Sequence, residues 1–198
     1  MTEILDIAKK DGRWTECPSC SETIITVKLR ENLWVCPHCE YHFRIGAKER
    51  IAITCDEGSF VEMDSPVMHS DDQGVPGDDA IRGGRALIMS RQCMVGVMDF
   101  THKGGSMGVA VGQAVMDMMI GAHRKGLPLI VFCASGGVRV QEGIWGLLQM
   151  LRTVHARNQT EDVPMITVFT DPTTGGVSAS FAGLADVMIA EQIGRAHV

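Results

Sequence analysis

No stretch of the 198-residue chain approaches the roughly 20 consecutive apolar residues that a membrane-spanning helix needs. Nor does the start of the chain carry the apolar core of a secretory signal. Met1 to Arg13 is charged and mixed, with Glu3, Asp6, Lys9, Lys10 and Asp11. A cytoplasmic location without membrane contact is therefore the expectation. Positive charge is also scarce: 18 Lys and Arg stand against 24 Asp and Glu, a net charge of -6. That balance argues against a general nucleic-acid binder, which needs clustered cations to neutralise phosphate. Intrinsic disorder is excluded by the 45% hydrophobic and 21% charged composition. The chain has neither the G-x-x-x-x-G-K-[ST] nor the G-x-G-x-x-G phosphate loop, and no G-x-S-x-G nucleophile turn. His102, His123 and His155 are isolated along the chain and read as structural or solvent-facing rather than as general bases.

What the sequence does have is cysteine in a pattern. Four of its seven cysteines form Cys17-Pro18-Ser19-Cys20 and Cys36-Pro37-His38-Cys39, a C-x2-C-x15-C-x2-C spacing. Two residues between thiolates let one tight turn present both sulfurs to one ion, and two such turns complete a tetrahedral site that suits Zn2+. Four thiolates leave no open position, so the expected zinc is structural, one per chain. The intervening segment fits a hairpin with one knuckle at each end. A module this small buries too little apolar surface to fold without the metal. Cys55, Cys93 and Cys133 have no partner spacing and read as packing thiols.

The chain divides by character into residues 14–45, a zinc ribbon with four cysteines; 46–84, a linker with a short helix and an acidic loop; and 85–191, a larger domain of alternating strands and helices. A tail, 192–198, follows. The linker helix is expected over Ala47 to Ile53, and the segment His69 to Asp79 is dense in acids and breakers. In the larger domain, paired strands are expected at Arg85 to Met89 and Cys93 to Phe100, around a turn at Ser90 to Gln92. Further strands are expected at Pro128 to Cys133, Val163 to Thr170 and Asp186 to Ala190. Helices are expected at Ser106 to Lys125, Arg139 to Asn158 and Val177 to Leu184. This ββαβαβαβ order predicts an α/β fold with helices packed on a mainly parallel sheet.

Three glycine clusters stand at strand-to-helix junctions: Gly104-Gly105-Ser106-Met107-Gly108, Ser135-Gly136-Gly137 and Thr174-Gly175-Gly176. Adjacent glycines at a helix start expose backbone N–H groups beside the positive end of the helix dipole. Such turns stabilise an anion, either a phosphate or an oxyanion developing on a carbonyl. Their recurrence in one context points to a shared site.

Together these segments resemble the β subunits of acetyl-CoA carboxylase carboxyltransferases. The resemblance rests on Trp14-Thr15-x-Cys17-x-x-Cys20, Asn32-Leu33-x-Val35-Cys36-Pro37-x-Cys39 and Asp56-Glu57-Gly58-Ser59-Phe60. It continues through Gly104 to Gly108, Ala134-Ser135-Gly136-Gly137-x-Arg139-x-Gln141-Glu142, Leu148-Gln149-Met150 and Thr170 to Ser180. It implies a crotonase-like spiral of ββα units behind an N-terminal zinc ribbon. It also implies carboxyl transfer from carboxybiotin to acetyl-CoA, giving malonyl-CoA for fatty acid synthesis. The implied partners are an α subunit in an α2β2 assembly, a biotin carboxyl carrier protein that supplies the biotin, and biotin carboxylase. Apart from the resemblance, zinc ribbons often touch nucleic acid; Lys28, Arg30, Arg44, Lys48 and Arg50 leave weak RNA binding by the ribbon open, but acids are as frequent there and a mixed, solvated surface is the favoured reading. By the same resemblance the N–H groups of Gly136 and Gly137 form the oxyanion hole for the acyl-CoA. Gly104, Gly105, Ser106, Met107, Gly108, Ser135, Arg139, Gly175 and Gly176 shape its pocket.

The sequence departs from that pattern at Ser21, where the family usually has glycine, at His102-Lys103, and at Val138. The last residues, Ile193-Gly194-Arg195-Ala196-His197-Val198, resemble a translated sequencing adapter, so the tail is expected to be non-native and the natural chain longer. On that expectation the chain alone is poorly soluble and inactive. Two other readings compete: a zinc-ribbon nucleic-acid module on a crotonase-like scaffold, and an acyl-CoA carboxyltransferase or decarboxylase acting on another acyl chain.

Overall fold

The computed structural model describes residues 14–63 and 80–191, together with the backbone of 196–197. The acidic loop and most of the expected tail lie outside the described residues. The chain forms two compact units that divide after Ile45.

In the first unit, β1 (Trp14–Glu16) pairs antiparallel with β2 (Thr23–Ile25), which runs into α1 (Thr26–Glu31). The expected hairpin spanning the two knuckles does not form. Each knuckle instead closes a short hairpin of its own, the second pinned by the Val35–His42 bridge. Burial explains the helix. It carries Leu29 to zero exposure among Cys17, Ile24 and Cys36, while Val27 stays out at 61%. That burial overrides the strand preference of Thr26 and Val27.

The second unit begins with α2 (Ala47–Thr54) and β3 (Val61–Glu62). Its main hairpin is β4 (Ile81–Ile88) and β5 (Arg91–Met98), paired from Ile81↔Met98 to Ile88↔Arg91. Then come α3 (Val109–Lys125), β6 (Leu129–Ser135), α4 (Ile144–Asn158), β7 (Met165–Thr174), the single turn α5 (Gly175–Ser178) and β8 (Val187–Ala190). The sheet runs β3-β4-β5-β6-β7-β8, antiparallel through β5 and parallel from β5 onwards. The stretch expected as a linker is thus, over its described residues, built into this unit: β3 pairs with β4, and Ala47, Ile51, Cys55 and Phe60 pack on the sheet.

Strand alternation divides two apolar layers. Met94, Met98, Leu129, Val131 and Cys133 face α3 and α4, whereas Cys93, Val95, Val97 and Phe132 face α2. The first layer is rich in methionine: Met94, Met98, Met107, Met118, Met119 and Met165 are all within 2% of full burial.

Several element ends differ from expectation for local reasons. The β4–β5 turn is the pair Met89–Ser90, both at positive φ (49° and 62°), rather than Ser90 to Gln92. The Asp56 carboxylate accepts both of their N–H groups, at 3.0 and 2.7 Å, and so secures left-handed backbone without glycine. Ser59 both donates to and accepts from Leu87, so the Asp56 to Phe60 motif clamps this hairpin. Helix α4 starts only at Ile144, because Gly143 (φ 54°) ends a 3-10 turn over Val140–Glu142. Helix α3 starts at Val109, since Met107 is held in a bridge to Val138. The last expected helix breaks at Ser180, whose hydroxyl turns back to the Gly176 carbonyl at 2.6 Å.

Candidate functional site: a four-thiol centre and three joined glycine turns

In the first unit the two knuckles share one hydrogen-bond pattern. Cys17 N–H donates to Glu22 O and Ser21 N–H to Cys17 O; Cys36 N–H donates to Tyr41 O and Glu40 N–H to Cys36 O. The fifth residue of each, Ser21 and Glu40, is left-handed at φ 59°. These turns aim all four sulfurs at one point. The Cys17–Cys39 and Cys20–Cys36 Sγ separations are 3.6 and 3.8 Å, and all four sulfurs lie within 4.8 Å of one another. Zn–S bonds of about 2.3 Å in a tetrahedron set sulfurs about 3.8 Å apart, so the residues present fit the ion. Burial pushes the Cys39 thiol up, but the Tyr41 N–H and hydrogen bonds from Cys20, Cys17 and Cys36 outweigh it and bring it down to about 7.

The second unit brings the three glycine turns together at the carboxyl ends of β5, β6 and β7. The Gly136 N–H donates to Gly104 O at 2.9 Å, and the Ser135 hydroxyl donates to Gly105 O at 2.6 Å. The Thr174 hydroxyl donates to Ser135 O at 3.2 Å. Gly137 (φ 117°) and Gly175 (φ 58°) meet back to back: a Cβ on either would stand 3.3–3.4 Å from the other's Cα. Side chains at these positions would both strain the backbone and wedge the turns apart.

Both expected donors have acceptors within the turns. The Gly136 N–H is taken by Gly104 O, and the Gly137 N–H by the Ser135 hydroxyl at 3.0 Å. Neither is left over for a substrate. Among the described residues, no acceptor stands on the N–H of Val138 or of Gly176, one from each of two touching turns. Met107 N–H donates to Gly137 O and Arg139 N–H to Met107 O, so the Val138 N–H between them faces the other way.

Several residues expected to shape the acyl-CoA pocket are buried. Ser135 and Met107 have zero exposure, and Gly105 and Gly108 are also buried. Arg139 is 4% exposed, with its guanidinium engaged by Ser106 and Glu142. Gly104, Ser106, Gly175 and Gly176 keep accessible surface. Glu142, unassigned from sequence alone, accepts the Val109 N–H at the head of α3 at 2.6 Å. Its signal was its place three residues after Arg139, one helical turn on. Cys133 is buried and burial pushes its thiol up, in keeping with a packing thiol.

Two family models match the chain: a carboxyl transferase domain over residues 44–195 and an acetyl-CoA carboxylase zinc finger domain over residues 14–39. Among curated relatives, the acetyl-coenzyme A carboxylase carboxyl transferase subunit beta of Carboxydothermus hydrogenoformans is 43% identical over 197 residues, spanning 91% of this chain and 70% of that protein. A fused protein of Natranaerobius thermophilus, acetyl-coenzyme A carboxylase carboxyl transferase subunits beta/alpha, is 40% identical over 91% of this chain and 33% of its own length. Among solved structures, transcarboxylase 12S with methylmalonyl-coenzyme A bound superposes with a TM-score of 0.71 at 31% identity, covering 78% of this chain and 31% of that one.

Proposed function

The chain belongs to the carboxyl transferase family, with the crotonase-like fold and the zinc ribbon of acetyl-CoA carboxylase β subunits, and on that footing we propose how its residues serve the reaction. As the β-type half of a carboxyl transferase it moves a carboxyl group onto acetyl-CoA, forming malonyl-CoA. The fused β/α relative supports an α-type partner completing the site. A biotin carboxyl carrier protein and biotin carboxylase would make up the rest of an ATP-dependent cytoplasmic complex that feeds fatty acid synthesis. Biotin, when delivered, supplies the activated carboxyl group.

The observation that carries the site assignment is the pair of N–H groups without acceptors, Val138 and Gly176, on turns locked together by Gly137 and Gly175. As carboxybiotin gives up its carboxyl group as CO2, the freed ureido nitrogen can take a methyl proton from acetyl-CoA; the thioester oxygen then gains negative charge until the methyl carbon bonds to the CO2. Two fixed backbone donors stabilise that charge without reorganising and without a side-chain acid. The ribbon carries one structural zinc on Cys17, Cys20, Cys36 and Cys39 and takes no part in the chemistry.

Co-expression of the gene with an α-type subunit should yield a complex that forms malonyl-CoA from acetyl-CoA and carboxylated biotin. Val138→Pro, which deletes one donor, should lower kcat by about 10²–10³-fold. A parent complex without product, or a variant with parental kcat, sinks the respective claim. The family match favours this reading over a nucleic-acid module. Acetyl-CoA against propionyl-CoA as acceptor separates it from the related acyl-CoA enzymes.

A further inference from the structure

We propose that Arg139 and Glu142 are positioning residues for carboxyl transfer: they brace the turn carrying the Val138 N–H against the first glycine turn and the head of α3. The proposal rests on the carboxyl transferase reading above.

The brace is built from both ends. Arg139 Nε donates to the Ser106 hydroxyl at 3.2 Å and Nη2 to the Ser106 carbonyl at 3.0 Å. Its Nη1 donates to Glu142 Oε1 at 3.1 Å, and its backbone N–H to Met107 O at 2.9 Å. The other Glu142 oxygen accepts the Val109 N–H, where the helix dipole also favours a carboxylate. The sequence keeps room for this arrangement: a Cβ on Gly108 would stand 2.0 Å from Glu142 Oε1.

Two arguments separate positioning from the alternatives. First, the Arg139 and Glu142 side chains are only 4% and 15% exposed, and the guanidinium is spent on protein partners. Arg139 therefore offers little to a substrate phosphate or carboxylate. Second, apolar residues of similar volume often replace a buried ion pair at no loss of stability, so packing alone does not call for one. What the pair fixes is direction. Gly137 O and Arg139 N–H both point at Met107, and holding that peptide pair holds the intervening Val138 N–H on the opposite side. A donor displaced by about 1 Å loses on the order of 10²-fold in rate.

The test uses the full-length chain in complex with its α-type partner. Glu142→Gln keeps an oxygen for Val109 but removes the charge; Arg139→Lys keeps the charge but removes the fork. Each should lower kcat by about 10–10²-fold, with KM for acetyl-CoA within about twofold of the parent. Glu142→Gln leaves a buried guanidinium without its counter-charge and should lower the melting temperature, so kcat is read per folded molecule, and backbone hydrogen exchange should quicken in residues 135–139. A raised KM at unchanged kcat would make Arg139 a substrate contact and overturn the proposal. A lowered melting temperature with parental kcat per folded molecule would make the pair merely structural and overturn it too. If the Glu142 variant does not fold, Arg139→Lys alone decides. A parent complex that forms no malonyl-CoA removes the functional reading and this proposal together, whereas an active parent with fully active variants removes this proposal alone.

Discussion

Ser21 and Glu40 occupy the same left-handed position in the two knuckles, and neither is glycine. A side chain there costs about 1–2 kcal/mol relative to glycine. Ser21→Gly and Glu40→Gly should therefore each make the metal-loaded ribbon harder to strip, seen as slower zinc release to a competing chelator. Release as fast as from the parent would show that the strain is relieved by other contacts. The quartet itself was fully legible in the sequence, because C-x2-C spacing is local. Which N–H groups of the glycine turns already have acceptors was not. Whether the Gly136 N–H is free depends on Gly104 O, 32 residues earlier, and no local pattern reveals that bond. Likewise Asp56 was readable as part of a motif but not as the acceptor for Met89 and Ser90, more than 30 residues away.

Most strands and the two long helices of the larger domain fall where periodicity placed them, and their ends moved wherever a distant partner decided the boundary; helix α1 and strand β3 were not expected. Gly143 and the Met107–Val138 bridge trimmed α4 and α3, and pairing of Ser135 with Thr173 extended β7 past its expected end. The start of α2 depends on a partner of this kind. Asp99 accepts the Ala47 N–H at 2.8 Å and also the Thr101 N–H and hydroxyl. Burial alone would raise the Asp99 carboxyl. The N–H groups of Ala47 and Thr101, the Thr101 hydroxyl and nearby His102 outweigh it and hold it below the usual value of 3.8. A carboxyl lowered on folding stabilises the fold at pH values above its unfolded pKa. That contribution is lost as the pH falls through the folded value. Asp99→Asn should therefore weaken the chain at pH 7 and flatten the loss of stability below about pH 4, measured by urea unfolding at both pH values. An unchanged acid slope would assign that loss to other carboxylates.

For the molecule as a whole, the uncovered surface matters most. Ile144, Leu147 and Leu151 recur along α4 at helical spacing and are 62%, 54% and 69% exposed, with Trp145 at 65% and Val140 at 83% beside them. Strand β8 is also open, with Val187, Met188 and Ile189 each near half exposure. Contiguous apolar surface of this kind drives association. The chain by itself should self-associate in sedimentation velocity, and Leu147→Glu with Leu151→Lys should raise the monomer fraction. A monomeric parent would mean that these side chains are tolerated in water.

The methionine layer has a consequence in oxidation chemistry. Thioethers react with peroxide only when it reaches them, and the resulting sulfoxide is polar and incompatible with an apolar layer. Met89 is 86% exposed and Met188 57%, whereas Met94, Met98, Met107, Met118, Met119 and Met165 are sealed. In native protein, peptide mapping after peroxide should find sulfoxide, among the described methionines, first at Met89 and Met188. Each core methionine should follow only at the rate at which its layer opens, and a core oxidising as fast as Met89 would contradict the packing. Oxidation of one sealed thioether then leaves a polar group that hinders reclosure, so further damage to this layer would fall on molecules already opened rather than accumulate evenly across the population.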